Sequence, residues 1–381
     1  MASSLDIERL LSARVKEIET SGIRRAWALA QACEDPINLS IGQPDFLVPD
    51  SIKQAAIDAI LADKNGYTQT AGDADLLASI HTRLHGQYGW DFADSHLQAM
   101  VTAGTAGALT LACLTVLGPG DEIIIPDPYF VIYPTLARIA EAKAVLCDTY
   151  PDFRMTAERI EPCITDKTKA VLLNSPANPT GVVLSAEEVA DIVTLCRDRN
   201  ILLITDEIYD EFVFPPTEHA SPASTSEDVL VIRGYGKTYG CTGWRMGYAA
   251  GPKPLIDAML KLKQQTFVCA PSVLQHALVN AYDIDLSPLI NRFAKRRDMV
   301  VDILGDVTEL VVPDGAFYAF PKIPVAHDMT GIEFISKAVE EDVLVIQGDV
   351  FSKHDTHFRI SYAVPEDKLE HGLRTLRKLL S

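Results

Sequence analysis

Four short runs, Ala144-Val145-Leu146, Ala170-Val171-Leu172-Leu173, Ile201-Leu202-Leu203-Ile204 and Val229-Leu230-Val231-Ile232, are apolar at every position instead of every second one. A strand with one solvated face alternates, so such runs belong to strands covered on both faces. With Glu122-Ile123-Ile124-Ile125, and with helical patterns at about 130–142 and 185–199 between several of them, they predict a mostly parallel sheet sandwiched by helices. Ligands of such a sheet bind outside the carboxyl ends of its strands. Asn174, Asp206 and Lys237 each follow one of the runs closely and fall there.

The remainder of the chain changes rhythm. Apolar positions at helical spacing between residues 3 and 32 predict two amphipathic helices that part near Ser21-Gly22, an arm that packs on its own core or grips a partner subunit. A short strand in Asn38-Leu39-Ser40-Ile41 breaks at Gly42-Gln43-Pro44. Helices are expected over about 51–62, 73–88 and 104–116. After about residue 285 a long helix to Leu304 carries Arg292, Lys295, Arg296 and Arg297, read as a solvated face. Runs at 310–312, 316–320, 343–346 and 358–362, with helices at 331–341 and 366–380, predict a separate small sheet. The division expected is an arm and part of a small unit over 1–46, a large unit over 47–285, and a small α+β unit completed by 286–381.

Composition narrows the function. Thirty-four Lys and Arg against 52 Asp and Glu give a net charge of −18, which argues against a nucleic-acid backbone as partner. No apolar run approaches membrane-spanning length. The seven cysteines are scattered without a C-x-x-C pair, and the nine histidines show no metal spacing, so reduced thiols, a cytoplasmic setting and no metal are expected.

Taken alone, Lys237 in Arg233-Gly234-Tyr235-Gly236-Lys237 reads as a surface lysine, and Gly42 as an ordinary turn. The company changes this. A carboxylate at the mouth of an apolar strand, Asp206, is costly without a cation, which a protonated ring nitrogen or an arginine of the protein would supply. Tyr209 and Asn178 can donate to a phenolate-type oxygen. Arg245, Thr105 and the amides after Gly104 can hold a phosphate. Lys237, desolvated, can form a Schiff base with an aldehyde. Aldehyde, phenolate, ring nitrogen and phosphate together describe pyridoxal phosphate (PLP).

At this point the chain resembles the class I/II aminotransferases, PLP enzymes of fold type I. The motifs are Ile41-Gly42-Gln43-Pro44-Asp45-Phe46, Tyr67-Thr68-Gln69-Thr70-Ala71-Gly72, Asn174-Ser175-Pro176-Ala177-Asn178-Pro179-Thr180-Gly181, Asp206-Glu207-Ile208-Tyr209, Lys237 with Gly243-Trp244-Arg245-Met246-Gly247-Tyr248, Gly315-Ala316-Phe317-Tyr318, and Arg359-Ile360-Ser361-Tyr362. The resemblance implies a seven-stranded sheet and an amino transfer between an L-amino acid and a 2-oxo acid by a ping-pong route. It implies that Lys237 holds the cofactor and moves the proton, that Asp206 meets the ring nitrogen, and that Asn178 and Tyr209 bond the ring oxygen. Tyr129 stacks on the ring, with a core position as its alternative. Arg245 and Gly104-Thr105-Ala106 bind the phosphate, and Tyr67 reaches the phosphate of a neighbouring subunit in a homodimer with shared sites. Arg359 forks onto the substrate carboxylate beside Gly42. The same constellation serves elimination lyases and aminocyclopropane-carboxylate-synthase-like enzymes.

Two departures stand out. Gly234 and Gly236 occupy positions where many relatives carry serines, which predicts a phosphate site with one hydroxyl fewer. Gly107 replaces a frequent polar residue, which counts against a strict dicarboxylate substrate. Arg24 and Arg25 in the arm read as a solvated face or as reaching the pocket.

Overall fold

The computed structural model describes residues 5–16, 18, 36–93, 96–324 and 329–381. Arg24, Arg25 and the second predicted arm helix lie outside them. The first arm helix is broken at Leu11-Ser12 into two single turns, Ile7–Leu10 and Ala13–Lys16. Its apolar residues Leu5, Ile7, Leu10 and Val15 are all exposed, and Arg14 pairs with Glu141 at 2.6 Å.

Twelve strands follow in the described residues: β1 (Ile37–Asn38), β2 (Leu97–Ala103), β3 (Glu122–Asp127), β4 (Lys143–Asp148), β5 (Thr168–Asn174), β6 (Leu202–Asp206), β7 (Val229–Gly234), β8 (Met246–Pro252), β9 (Tyr318–Ala319), β10 (Val343–Leu344), β11 (Ile346–Gln347) and β12 (Phe358–Ser361). Seven of them form one sheet in the order β2-β8-β7-β6-β5-β3-β4. Contacts β3–β4, β3–β5, β5–β6 and β6–β7 are parallel, whereas β8 runs antiparallel to both β7 and β2. The fully apolar runs account for this burial. One face packs Val171, Leu173, Leu203, Val229 and Val231 against the helix Ala186–Asp198 and its neighbours. The other packs Ile123, Ile125, Leu172, Ile204, Leu230 and Ile232 against the helices Gly104–Val116 and Ile132–Ile139.

Strands β2 and β8 have no counterpart among the expected runs. In β8 the residues are Met-Gly-Tyr-Ala-Ala-Gly-Pro, a composition of low strand propensity. The reason is proximity: a Cβ on Gly247 would lie 2.8 Å from the Gly104 carbonyl carbon and 2.9 Å from the Thr105 nitrogen. Backbone passes against backbone there, and only glycine fits.

A second core gathers Leu39, Phe293, Phe317, Phe334, Val343, Phe358, Ile360 and Leu373 around the long helix Ser287–Leu304 and the helices Gly331–Glu340 and Glu366–Leu380. The small sheet is less regular than expected. Residues 310–312 form no strand, and the 343–346 run splits, with β10 pairing β1 in parallel while β11 joins β12 and β9. Two helices start on a signal written in the sequence: Ser185 with Glu188 and Thr330 with Glu333 form reciprocal capping boxes.

The solvated-face reading of the long helix needs correction. Arg296 is buried, donates both terminal nitrogens to the Asp45 carboxylate at 2.9 and 2.8 Å, and lies over the Phe293 ring. Arg297 is largely covered and donates to the Pro313 carbonyl at 2.8 Å. The turn at Gln43-Pro44-Asp45 supplies the carboxylate from far away in sequence, which no helical pattern reveals. Removing one member of such a pair strands the other, so Arg296→Ala is expected to cost about 3 kcal/mol in urea unfolding. A loss well under 1 kcal/mol would mean that the pair contributes nothing net. Among the described residues no helix is long and apolar enough to cross a membrane.

Candidate active site

Because β8 is reversed, its beginning lies at the same sheet edge as the ends of β2, β5, β6 and β7. In register, Ala103 faces Met246, Gly234 faces Gly247, and Asn174 faces Asp206. The residues just beyond those ends are thereby gathered, and they wall a cavity of about 380 Å³. Gly42, Thr105, Ala106, Asn178, Asp206, Tyr209, Lys237, Arg245 and Arg359 line it, so nine of the residues singled out from sequence meet in one place. Gly104 sits directly behind Arg245: its φ is +69°, and a Cβ there would come within 2.9 Å of Arg245 Nη2. The guanidinium thus hangs over the first turn of the helix Gly104–Val116, where unbonded amides collect. Cation and helix N-terminus together make an anion seat.

Asp206 and Glu207 are neighbours in sequence, both fully enclosed, with opposite environments. Burial works against ionising Glu207, but Arg233 at 2.8 Å, His219 at 3.3 Å and Ser221 at 2.6 Å hold its pKa down to about 2. It is a structural ion pair. For Asp206, burial pushes the pKa up to about 6, against the pull of a hydrogen bond from Tyr133 Oη at 2.9 Å and of the Ile208 amide. Among the described residues no arginine pairs with it. Its negative form lacks a cation in hydrogen-bond range, which is the environment a protonated ring nitrogen fits. In the ligand-free protein the folded chain therefore holds a proton at Asp206 between about pH 4 and 6 that the unfolded chain has released, and stability falls as pH rises through that window. Asp206→Asn is expected to flatten this dependence by about 3 kcal/mol, read from urea midpoints at the two ends of the window; an unchanged slope would contradict it.

Lys237 lies in the single turn Tyr235–Thr238 after β7, and its amine donates to the Gly42 carbonyl. Burial, then the positive charges of Arg359 and Arg245, lower its pKa to about 8, with Asp206 pulling the other way. At pH 7 about a tenth of the amine is thus neutral and nucleophilic, several hundred times the share of an ordinary lysine.

Arg359, on β12, is buried, and no carboxylate among the described residues pairs with it. It donates to Asn178 Oδ1 at 3.0 Å and to the Ser40 carbonyl at 2.7 Å, and its Cζ lies 4.6 Å from the ring centres of both Tyr318 and Phe351. Burial lowers its pKa, and its Nε has no partner among the described residues. A guanidinium sandwiched between aromatic rings and lacking an anion is a receptor for a planar carboxylate.

Two of the sequence-derived residues stand apart. Tyr129 does not line the cavity; its amide bonds the Phe351 carbonyl at 2.7 Å and it packs with the sheet core, while its neighbour Phe130 lines the site. Tyr67 is 87% exposed and takes no part in the wall of this chain's own cavity. Sequence reasoning missed Phe130, Ile132, Tyr133 and Ile208 as lining residues, and it left Asn174 at its strand end and Tyr318 in its motif without a role. The one usable signal was Asn174, placed at a strand end; its amide donates to the Asp206 carbonyl oxygen at 2.9 Å and holds two strand ends together. At Gly234 the absent side chain is replaced by its neighbours, since a Cβ there would meet Ile208 Cδ1 at 2.6 Å and Thr105 Cγ2 at 3.0 Å.

Comparison with known proteins agrees with this geometry. The family described as aminotransferase class I and II matches residues 34–376. A probable aspartate aminotransferase of Methanocaldococcus jannaschii is 34% identical over 97% of this chain and 100% of its own length. A probable N-acetyl-LL-diaminopimelate aminotransferase of Bacillus subtilis is 36% identical over 97% of this chain and 95% of its own. Among solved structures, the Thermus thermophilus aspartate aminotransferase with maleate superposes with a TM-score of 0.90 at 30% identity, covering 97% of this chain and 99% of that one. The chain belongs to the class I and II aminotransferases and is a transaminase of a family that works with pyridoxal phosphate.

Proposed function

We propose that this cavity holds pyridoxal phosphate and exchanges an amino group between an L-amino acid and a 2-oxo acid. The observation that carries the reading is one buried amine, Lys237, flanked in a single cavity by an unpaired carboxylate, Asp206, and an unpaired guanidinium, Arg359. When bound, pyridoxal phosphate supplies an aldehyde for the amine and an electron sink for the bond broken at the substrate Cα. Arg245, Thr105 and the amides after Gly104 seat its phosphate. Asp206, oriented by Tyr133, faces the ring nitrogen and keeps a proton there, while Asn178 and Tyr209 address the ring oxygen. Phe130 takes the stacking role that sequence reasoning gave to Tyr129.

Arg359 fixes the substrate α-carboxylate, which sets the α-hydrogen toward Lys237. The amine would accept that proton at Nζ and return it two atoms along, at the carbon that was the cofactor's aldehyde, with the Gly42 carbonyl as its resting partner. The apolar walls, Phe130, Ile132 and Ile208, keep water from the transfer path. The relatives named above favour transfer over elimination, and product identity is the test. In single turnover, an L-amino acid is expected to yield one equivalent of its 2-oxo acid and leave the amine on the protein; ammonia or a cyclised product would place the enzyme among the lyases.

The same reading assigns Tyr67 to a second subunit's phosphate site in a homodimer. Its exposure supports this, as do the uncovered Leu5, Ile7, Leu10 and Val15 of the arm. It also divides the chain at residues 46 and 285 and, on the free thiols of Cys113, Cys147, Cys163, Cys196, Cys241 and Cys269, places it in the cytoplasm.

A further inference from the structure

Tyr318 on β9 meets Tyr209, Arg359 and Gly42 on the substrate side of the cavity. Its hydroxyl lies 2.9 Å from the Tyr209 hydroxyl, and the two rings meet edge to face. Its ring carries the Arg359 guanidinium at 4.6 Å. A Cβ on Gly42 would fall 2.4 Å from its oxygen, so residue 42 must be glycine for this hydroxyl to reach Tyr209. The same Gly42 receives the Lys237 amine.

We infer that Tyr318 is a positioning residue that donates its hydrogen to Tyr209, aims the Tyr209 hydrogen into the cavity, and transmits to it whether Arg359 is paired with a carboxylate. Two phenols at hydrogen-bond distance share one hydrogen between them, and the phenol whose ring faces a cation is the better donor. That phenol is Tyr318. With its oxygen already accepting, Tyr209 is polarised to donate onward, because hydrogen bonds in a chain strengthen one another. When a carboxylate neutralises Arg359, the cation over Tyr318 is weakened as a field source, and the donor strength of Tyr209 falls with it. Carboxylate arrival is thereby registered at the group that Tyr209 addresses, without movement of the backbone.

This inference rests on the proposed reading, in which Tyr209 donates to the cofactor ring oxygen. A donor to that oxygen lowers the proton affinity of the Lys237 nitrogen beside it, so weakening the donor raises the pKa read there. The titratable and charged groups facing Tyr209 and Lys237 are Asp206, Tyr133, Arg245, Arg359 and Tyr318. Of these, Tyr318→Phe removes only one oxygen and keeps the ring under Arg359.

The test is a pH titration of the visible absorbance of the PLP-loaded protein, with no turnover required. Tyr209→Phe is expected to raise the midpoint by at least about one pH unit, and Tyr318→Phe by about half a unit. In the Tyr209→Phe background, Tyr318→Phe should add nothing. Saturating maleate, used as a non-reacting carboxylate probe, should raise the midpoint more in the wild type than in Tyr318→Phe. Gly42→Ala, which displaces the Tyr318 hydroxyl without altering it, should shift the midpoint in the same direction. If Tyr209→Phe shifts the midpoint and Tyr318→Phe does not, or if the two shifts simply add, the relay is wrong. If Tyr209→Phe itself leaves the midpoint unmoved, the reading beneath it fails instead.

Discussion

Lys237→Ala is expected to abolish the visible absorbance that pyridoxal phosphate acquires on joining a lysine, and to lower kcat by at least about four orders of magnitude. The size follows from two jobs placed on one nitrogen. Its pKa near 8 makes it a nucleophile under working conditions, and its place beside Gly42 and Arg359 puts it where the α-hydrogen of a held substrate would point. No neighbour can take over. Asp206 is committed to Tyr133, Tyr209 is shared with Tyr318, and the guanidinium groups of Arg245 and Arg359 offer donors but no acceptor for the α-proton. Far-ultraviolet circular dichroism should be unchanged, because the turn that carries Lys237 packs through Tyr235 and Thr238, which are buried, and not through the lysine. A variant that kept the band would place the attachment elsewhere, with buried Lys263 as the first residue to examine. That amine donates to the Thr70 and Val101 carbonyls.

The second large effect is expected at Arg359. Arg359→Lys should lower kcat/KM for any amino acid by about 100- to 1,000-fold, roughly 3–4 kcal/mol. Charge is kept in this variant, so the loss measures geometry. Lysine cannot present two parallel donors, cannot lie flat between Tyr318 and Phe351, and leaves the Ser40 carbonyl or Asn178 Oδ1 without its donor. The loss should fall mainly on KM, since the clamp holds ground state and transition state alike. A change of less than about fivefold would show that substrate carboxylates bind at another cation.

How legible each of these residues is in the sequence depends on what announces it. Asp206 and Lys237 stand at the ends of fully apolar runs, where a polar residue has no reason to be unless the strand end is exposed to something. Arg245 and Asn178 needed their motifs, because a loop arginine or asparagine carries no periodicity, and Arg359 needed its own because one arginine within a short strand announces no pocket. Phe130 and Tyr133 were hidden by the opposite problem. They sit within a helical pattern at about 130–142, and helical spacing alone does not say which face looks over the sheet edge. Tyr129 was chosen over Phe130 from the motif resemblance, which does not separate two adjacent aromatic residues ahead of the helix that begins at Ile132. In the sheet, β2 and β8 escaped because strand detection relies on bulky β-branched residues, and β8 must shed side chains to pass Gly104 and Thr105. Arg296 was misread because its partner, Asp45, arrives from the far end of the chain.

Two closely packed glycines, Gly247 behind the phosphate seat and Gly181 behind Tyr318, set a boundary on how this enzyme can be remodelled. At Gly247 any side chain would strike backbone from two other segments, and at Gly181 it would strike the Tyr318 and Gly315 carbonyls. Libraries that randomise these positions in search of new substrates will return glycine. Ile132 has no such limit: it meets the cavity with its side chain, and its volume can be traded without moving the main chain. Part of the cavity wall can therefore be remodelled through exchangeable side chains, whereas the close backbone passages behind it tolerate no side chain at all.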